Sequence, residues 1–343
     1  MWQDLLRIPL PFSVPIIGDH LTIHGFGLML VIGFLAGMEL ARFLSRRAGI
    51  NPELFANAAL IGLLTGIVGA RLSHVLENLG DYTRPDQTFA QNLSAAMNIT
   101  SGGLTYYGGF LLAFPTLLLY AWRKKIPIRI GMDIVAPCLM VGLAFGRIGC
   151  FLNGCCYGAT CDAPWAVSFP YGSPPYEDQA HAGRITPPAA LLTPTERGER
   201  LITRQELEQG YVQRRNLLDP TSSIKVPIDP QAAALASAQR SLRLHPAQLY
   251  SALTAFLLAG LLVTHFGLPH APGRTFALML MLEAAARFSL ELVSSEPAVI
   301  GRFSFSMVIS IPLAALGVVL WIAFGQTKRA RANRATVQVS TAA

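Results

Sequence analysis

Seven separate runs of mostly apolar residues dominate this sequence, at 21–43, 54–77, 102–122, 130–152, 246–266, 274–293 and 303–324. Each is close to the roughly 20 residues a helix needs to cross the hydrocarbon core of a bilayer, where every backbone N–H and C=O must be satisfied within the segment. Composition agrees, with 52% hydrophobic and 14% charged residues, too apolar for an ordinary soluble domain. Pro115, Pro137 and Pro312 fall inside runs, which membrane helices tolerate better than soluble ones. The expected fold is an all-α membrane protein of seven transmembrane helices.

Short basic clusters predict its orientation. Arg46 and Arg47 follow the first run, Arg123, Lys124, Lys125 and Arg129 the third, His270 and Arg274 the fifth, and Lys328, Arg329, Arg331 and Arg334 the seventh. The alternate loops carry only Arg7, Arg84 and Arg302. By the positive-inside rule the N-terminus is outside and the C-terminus inside, as an odd helix count requires. The net charge of +7 belongs to these loops; no motif interleaves basic and aromatic residues for nucleic acid. Residues 1–19 lack a compact apolar core before a small-residue cleavage site, so the first run reads as a retained helix.

The expected organisation is helices 1–4 in residues 1–152, a head region outside the membrane at 153–244, helices 5–7 in 245–325, and a disordered inner tail at 326–343. The head is rich in Pro and charge, as in Pro174-Pro175-Tyr176-Glu177-Asp178, and 195–215 is polar enough for a solvated helix.

Charged side chains within spans are costly; they pair, line a cavity or do chemistry. Four clusters stand out. Gly146-Arg147-Ile148-Gly149-Cys150 closes the fourth helix and continues through Asn153-Gly154-Cys155-Cys156. A guanidinium fork there suits a phosphate; the plainer alternative is an arginine snorkelling to the interface. Glu283, Arg287 and Glu291 share one face of the sixth helix at i, i+4, i+8. They form either a self-neutralising triad or an arginine facing a cavity beside a proton-accepting carboxylate. Arg71 lies deep in the second helix with His74 and Glu77 on its face; Arg71 needs a partner, while Glu77 reads better as a solvated end. Finally, Gly102-Gly103 and Gly108-Gly109 flank Tyr106 and Tyr107, giving either a platform for substrate or an interfacial tyrosine. His24, near the start of the first helix, reads as a hydrogen-bonded structural residue.

Of five cysteines, Cys138 reads as core packing, and Cys150, Cys155, Cys156 and Cys161 crowd the outer end of the fourth helix. A disulfide from Cys161 to Cys155 or Cys156 is the natural inference outside the membrane. Free thiols, a metal site and a catalytic thiol are the alternatives, and no His-plus-Cys spacing argues for zinc. Neither a metal nor a cofactor is expected.

In order and spacing, His24-Gly25-Phe26-Gly27-Leu28-Met29, Gly69-Ala70-Arg71-Leu72, Gly102-Gly103, Gly108-Gly109, Gly146-Arg147-Ile148-Gly149, Asn153-Gly154, His245-Pro246-Ala247-Gln248-Leu249-Tyr250 and Arg287 with Glu291 together resemble the prolipoprotein diacylglyceryl transferase family. The similarity fades through residues 159–240. It implies a seven-helix enzyme of the bacterial inner membrane. Such an enzyme moves the diacylglyceryl group of phosphatidylglycerol onto the cysteine thiol of a prolipoprotein signal peptide and releases glycerol phosphate. On this resemblance Arg147, Arg287, Glu283, Glu291 and Tyr107 are candidate catalytic residues. Arg147, Asn153, Arg71, Gly102 and Gly103 are candidate phosphatidylglycerol ligands. The chain departs from the family pattern where Tyr107 replaces a histidine, Cys150 and Cys155 replace an Asn and a Glu, and Phe26 and Glu283 replace tyrosines. A phenol is a poor base near neutral pH, so Glu283 is the expected substitute. A paralogue serving another acceptor, or a lipid-binding or transport protein without catalysis, are the competing readings.

Overall fold

The computed structural model describes residues 4–14, 18–83, 88–98, 105–195, 198–215, 223–294, 298–301 and 303–341. A hairpin of β1 (Asp4–Val14) and β2 (Gly18–His24) leads into α1 (Gly25–Arg47). The sequence places the first helix from residue 21, but residues 21–24 belong to β2. Their alternation of polar and apolar side chains in His20-Leu21-Thr22-Ile23-His24 suits a strand.

Next come α2 (Pro52–Glu77), the short α3 (Leu79–Tyr82) and α4 (Phe89–Met97), then α5 (Tyr106–Arg123) and α6 (Ile128–Asn153). Helix α2 starts on Asn51, whose side chain accepts from the Glu53 N–H at 3.0 Å, with Pro52 as first helical residue. Helix α6 ends on Gly154 at φ 82, the left-handed closure a glycine adopts freely. The chain then runs through α7 (Pro174–His181), β3 (Leu192–Thr195), β4 (Gly198–Leu201), α8 (Arg204–Gln209), β5 (Tyr211–Arg215), β6 (Ser223–Pro227) and α9 (Ala232–Ala238). It closes with α10 (Ala247–Gly267), α11 (Arg274–Glu291), β7 (Ala298–Ile300), β8 (Phe303–Ser304) and α12 (Phe305–Thr341).

Five helices are long and apolar enough to cross a membrane: Gly25–Arg47, Pro52–Glu77, Ile128–Asn153, Ala247–Gly267 and, within α12, Phe305–Gln326. Only 11–33% of the residues in their most apolar windows are buried inside the protein. Leu64, Leu111, Leu257 and Val319 are each more than 60% exposed, a density of bare apolar side chains that soluble monomers rarely carry. The molecule is therefore a mostly helical, multi-pass membrane protein. Helices α5 and α11 are 18 residues each and pack on α2 and α12 respectively. Pro115, Pro137 and Pro312 all lie inside helices, as the sequence predicts.

Two apolar clusters hold the bundle. Ala136 and Met140 of α6 meet Ala259 and Leu262 of α10 and Met279 and Leu280 of α11. Ala41 and Leu44 of α1 meet Phe55 of α2 and Ile134 of α6. Small residues bring the helices into close contact, as membrane packing requires in the absence of a hydrophobic drive between helices. A Cβ on Gly69 would lie 2.4 Å from the Gly108 carbonyl oxygen, and one on Gly33 2.8 Å from Phe145 Cβ. Asp133, 2% exposed, accepts from the backbone N–H groups of Gly273 and Phe276 at 2.6 and 2.9 Å. A carboxylate of α6 thereby terminates the start of α11, where the helix dipole favours negative charge.

The segment between α6 and α10 has a small core of its own: Tyr171, Tyr176, Leu191, Ala232 and Ala236. Residues 195–215, expected as one solvated helix, instead contain β4, α8 and β5. Gly198 and Gly210 take φ of 126 and 74, and these left-handed turns break the stretch into hairpin strands around one short helix. Arg200 and Glu206 pair there with two contacts, at 2.6 and 2.8 Å. That pairing is the leading reason the Glu206 carboxyl is held down at about 2.

Candidate functional site

Four of the sequence motifs converge at the end of α6. Gly149 lies against α1: a Cβ on it would sit 3.0 Å from Phe26 Cδ2 and 3.4 Å from Met29 Cβ. Beyond the helix, Gly158 is wedged between the start of α10 and the end of α11, where a Cβ would meet His245 Cβ and the Val293 carbonyl, both at 2.7 Å. Backbone bonds fix the same junction: Gly158 N–H donates to His245, Ala159 N–H to Val293, and His245 N–H to Ala159, at 2.9–3.0 Å. Gln248, fully buried in the first turn of α10, donates to the Cys155 carbonyl at 2.7 Å. The Gly-Arg-Ile-Gly, His-Pro-Ala-Gln and Arg287–Glu291 segments, together with the start of α1, thus form one locus although up to about 270 residues of sequence separate them.

The charged groups of that locus are Arg147, Glu283, Arg287 and Glu291. Arg147 is half-buried and makes no hydrogen bond or ion pair among the described residues. Glu283, also half-buried, lies within electrostatic reach of both Arg147 and Arg287. Arg287 Nη2 donates to Ser306 Oγ at 2.9 Å and stands 3.8 Å from Glu291 Oε2. Glu291 is 8% exposed, and its Oε1 is buried without a hydrogen-bond partner among the described residues. The three residues of α11 are therefore not a self-contained neutral triad. They share their field with an arginine of α6 and leave one carboxylate oxygen unsatisfied, an arrangement that suits an anion and a transferable proton. Asn153 ends α6, and its side chain contacts the Cys155 thiol.

The other expected residues lie elsewhere. Arg71 is 6% exposed, and its guanidinium donates to the Ala95 and Ala96 carbonyls, both at 2.8 Å, while stacking over Tyr82 at 5.3 Å. Two of its contacts are with the C-terminal end of α4, whose carbonyls attract a cation. Glu77 is more than a solvated end: it accepts from Ser73 at 2.8 Å and from Thr105 at 3.1 Å, joining α2 to the start of α5. Tyr107, in the first turn of α5, is 65% exposed. Gly102 and Gly103 fall outside the described residues. His24 precedes α1 and is cross-strand from Asp4.

All five cysteines are free thiols, which corrects the expected bond from Cys161. Cys150, Cys155 and Cys156 cluster instead, with all three sulfurs within 4.8 Å of one another. The cause is local: the closure at Gly154 lets the Cys155 N–H return to the Cys150 carbonyl at 3.1 Å, placing residues five apart side by side. Hydrogen bonds from the other two thiols draw the Cys155 thiol below its ordinary range. In the head beside it, burial and the Asp178 carboxylate, 2.5 Å from the hydroxyl, push the Tyr157 phenol up.

Residues 13–323 match the family model described as prolipoprotein diacylglyceryl transferase. The chain belongs to the prolipoprotein diacylglyceryl transferase family. Among curated relatives, the phosphatidylglycerol–prolipoprotein diacylglyceryl transferase of Rhodopirellula baltica is 33% identical over 244 residues, 66% of this chain and 49% of that protein. The like-named protein of Pseudoalteromonas translucida is 35% identical over 48% of this chain and 59% of its own length. That of Xanthomonas oryzae pv. oryzae is 26% identical over 91% of this chain and 89% of its own length. The chain thus spans about half of the first two relatives and most of the third. The family match takes in all four converging segments, from Phe26 to Glu291.

Proposed function

We propose that this protein transfers the diacylglyceryl group of phosphatidylglycerol to the lipobox cysteine thiol of prolipoprotein signal peptides, releasing glycerol phosphate. It does so from the bacterial inner membrane, with seven spans, α5 and α11 included, the N-terminus outside and the C-terminus inside. The loop charges support this topology: basic residues follow α1, α5, α10 and the apolar part of α12. In it residues 153–244 form a periplasmic head, and the α6 end with Arg147 faces the outer leaflet.

One observation carries the reading. Arg147, half-buried and without a hydrogen-bond partner among the described residues, faces the same carboxylate as Arg287, while Glu291 holds a buried unpartnered oxygen. In the transfer, the thiol sulfur bonds to the terminal glycerol carbon of the diacylglyceryl group as that carbon's bond to the phosphate oxygen breaks. The phosphodiester becomes a monoester, so negative charge grows on the phosphate. Arg147 and Arg287 stabilise that charge in surroundings with little water, where such stabilisation is strongest. Asn153 adds a polar contact for the head group. The thiol proton passes to Glu283 or Glu291 and from there to the departing phosphate, since a thiolate is the competent nucleophile. By the family resemblance, Arg71, Gly102 and Gly103 are further candidate ligands of phosphatidylglycerol, and Tyr107 is a further candidate catalytic residue.

Reconstitution into phosphatidylglycerol vesicles with a lipobox peptide tests this. Glycerol phosphate release should match thioether formation mole for mole. Arg147→Ala should lower the rate about 100-fold or more, the usual cost of removing one transition-state donor. Inserted, folded protein that yields neither product and fails to rescue a transferase-depleted strain would overturn the reading.

A further inference from the structure

The transfer reaction leaves three thiols unused. Cys150 occupies the last turn of α6, and Cys155 and Cys156 follow the Gly154 closure, so the three sulfurs lie within 4.8 Å of one another. The loop is held in place rather than loosely draped. Gln248 grips the Cys155 carbonyl from α10, and Gly158 pins the chain two residues after Cys156. Cys156 takes φ 56, a left-handed backbone that costs a non-glycine residue about 1 kcal/mol or more and persists where surrounding structure enforces it. None of the three is in a disulfide, and Cys161 and Cys138 stand outside the cluster.

We propose that Cys150, Cys155 and Cys156 form a tris-thiolate site for a soft metal ion, Zn2+ foremost, with one coordination position open. Sulfur donors select Zn2+ or Cu+ over Mg2+ and Ca2+. A tetrahedral ion with Zn–S bonds of about 2.3 Å sets its sulfurs about 3.8 Å apart. The cluster must therefore contract by no more than about 1 Å, within the reach of cysteine rotamers. Three thiols binding Zn2+ release three protons and leave a unit of net charge −1. Arg147, whose positive charge acts on Cys156, balances it. The fourth position is left to water or an anion. Such an ion would tie the end of α6 to the loop that Gln248 and Gly158 hold, fixing the backbone beside Arg147.

Metal binding needs no lipid or peptide, so its outcome is separate from that of the transferase reading. The test uses full-length, reduced protein in detergent, titrated with Zn2+ against a chromophoric chelator and with Cd2+ by its ultraviolet thiolate charge-transfer band. One ion per chain is expected. Cys150→Ser and Cys155→Ser should each weaken binding at least about 100-fold, while Cys138→Ser and Cys161→Ser leave it unchanged. Zn2+ should raise the melting temperature of the parent but not of Cys155→Ser, whose own metal-free melting transition reports that it is folded. The proposal is overturned if the reduced protein binds no ion, if binding survives in Cys155→Ser, or if it is lost in Cys161→Ser. A disulfide within the cluster in protein isolated without reductant would also overturn it.

Discussion

Asp133 offers the sharpest test of how the bundle is built. Its carboxylate, 2% exposed, accepts from Gly273 N–H at 2.6 Å and Phe276 N–H at 2.9 Å, and lies 3.5 Å from His270 Nε2. Hydrogen bonds to a charged group contribute about 1.5–3 kcal/mol each, so the two amount to about 3–6 kcal/mol. Removing the carboxylate also removes its own desolvation cost, which offsets roughly half. Asp133→Ala should therefore destabilise the protein by about 2–3 kcal/mol. Asp133→Asn keeps one acceptor oxygen but turns an amide N–H toward the other donor, and should lose about 1–2 kcal/mol. His270→Ala removes the longer contact to Asp133 together with the hydrogen bonds of His270 to Thr275 and the Leu268 carbonyl, and should cost about 1–2 kcal/mol. Unfolding in mixed micelles of increasing denaturing detergent, followed by circular dichroism, measures all three. If Asp133→Ala unfolds within about 0.5 kcal/mol of the parent, the carboxylate does not hold the start of α11 and the reasoning fails.

Three further outcomes follow from individual contacts. A Cβ on Gly108 would sit 2.1 Å from Ser73 Cβ and 2.5 Å from the Gly69 carbonyl oxygen. Gly108→Ala should accordingly force α2 and α5 apart and lower the melting temperature clearly, whereas Gly142→Ala, with nothing within 4 Å, should leave it unchanged. Glu206 has its folded pKa depressed to about 2 from 4.5 by Arg200. The stabilisation it brings to the head is thus complete above pH 4.5 and is lost as pH falls toward 2; Glu206→Gln should remove that acid-dependent component from a pH series of melting curves. Glu283→Gln should slow the transfer while leaving phosphatidylglycerol binding near the parent value, and an undiminished rate would rule Glu283 out as proton acceptor.

The five longest apolar helices were legible because hydrocarbon imposes a length and a composition that one-dimensional sequence carries directly. Intramembrane charges such as Arg147 and Arg287 were legible for the same reason: nothing else in those runs is so costly to bury. Partners were not. That Arg71 holds the end of α4 could not be read from the sequence, because Phe89–Met97 is too short and too mixed to announce itself between spans. Asp133 drew no notice, since a single acid near a helix start gives no hint that it serves another helix 140 residues away. The hairpin turn at Gly198 and the end of α8 at Gly210 depend on left-handed backbone angles that polarity alone does not reveal.

Sequence by itself determined that this chain lives in a membrane, where its long apolar helices fall, and which family it resembles. All three follow from local composition and motif order. Only the tertiary structure decided which charges share a field: Glu283 with Arg147 and with Arg287, Glu291 with one oxygen unpartnered among the described residues, and three thiols gathered by one left-handed glycine. The reason is physical. Burial is a property of each segment, but electrostatic and coordination chemistry depends on distances of a few ångströms between segments that only packing brings together.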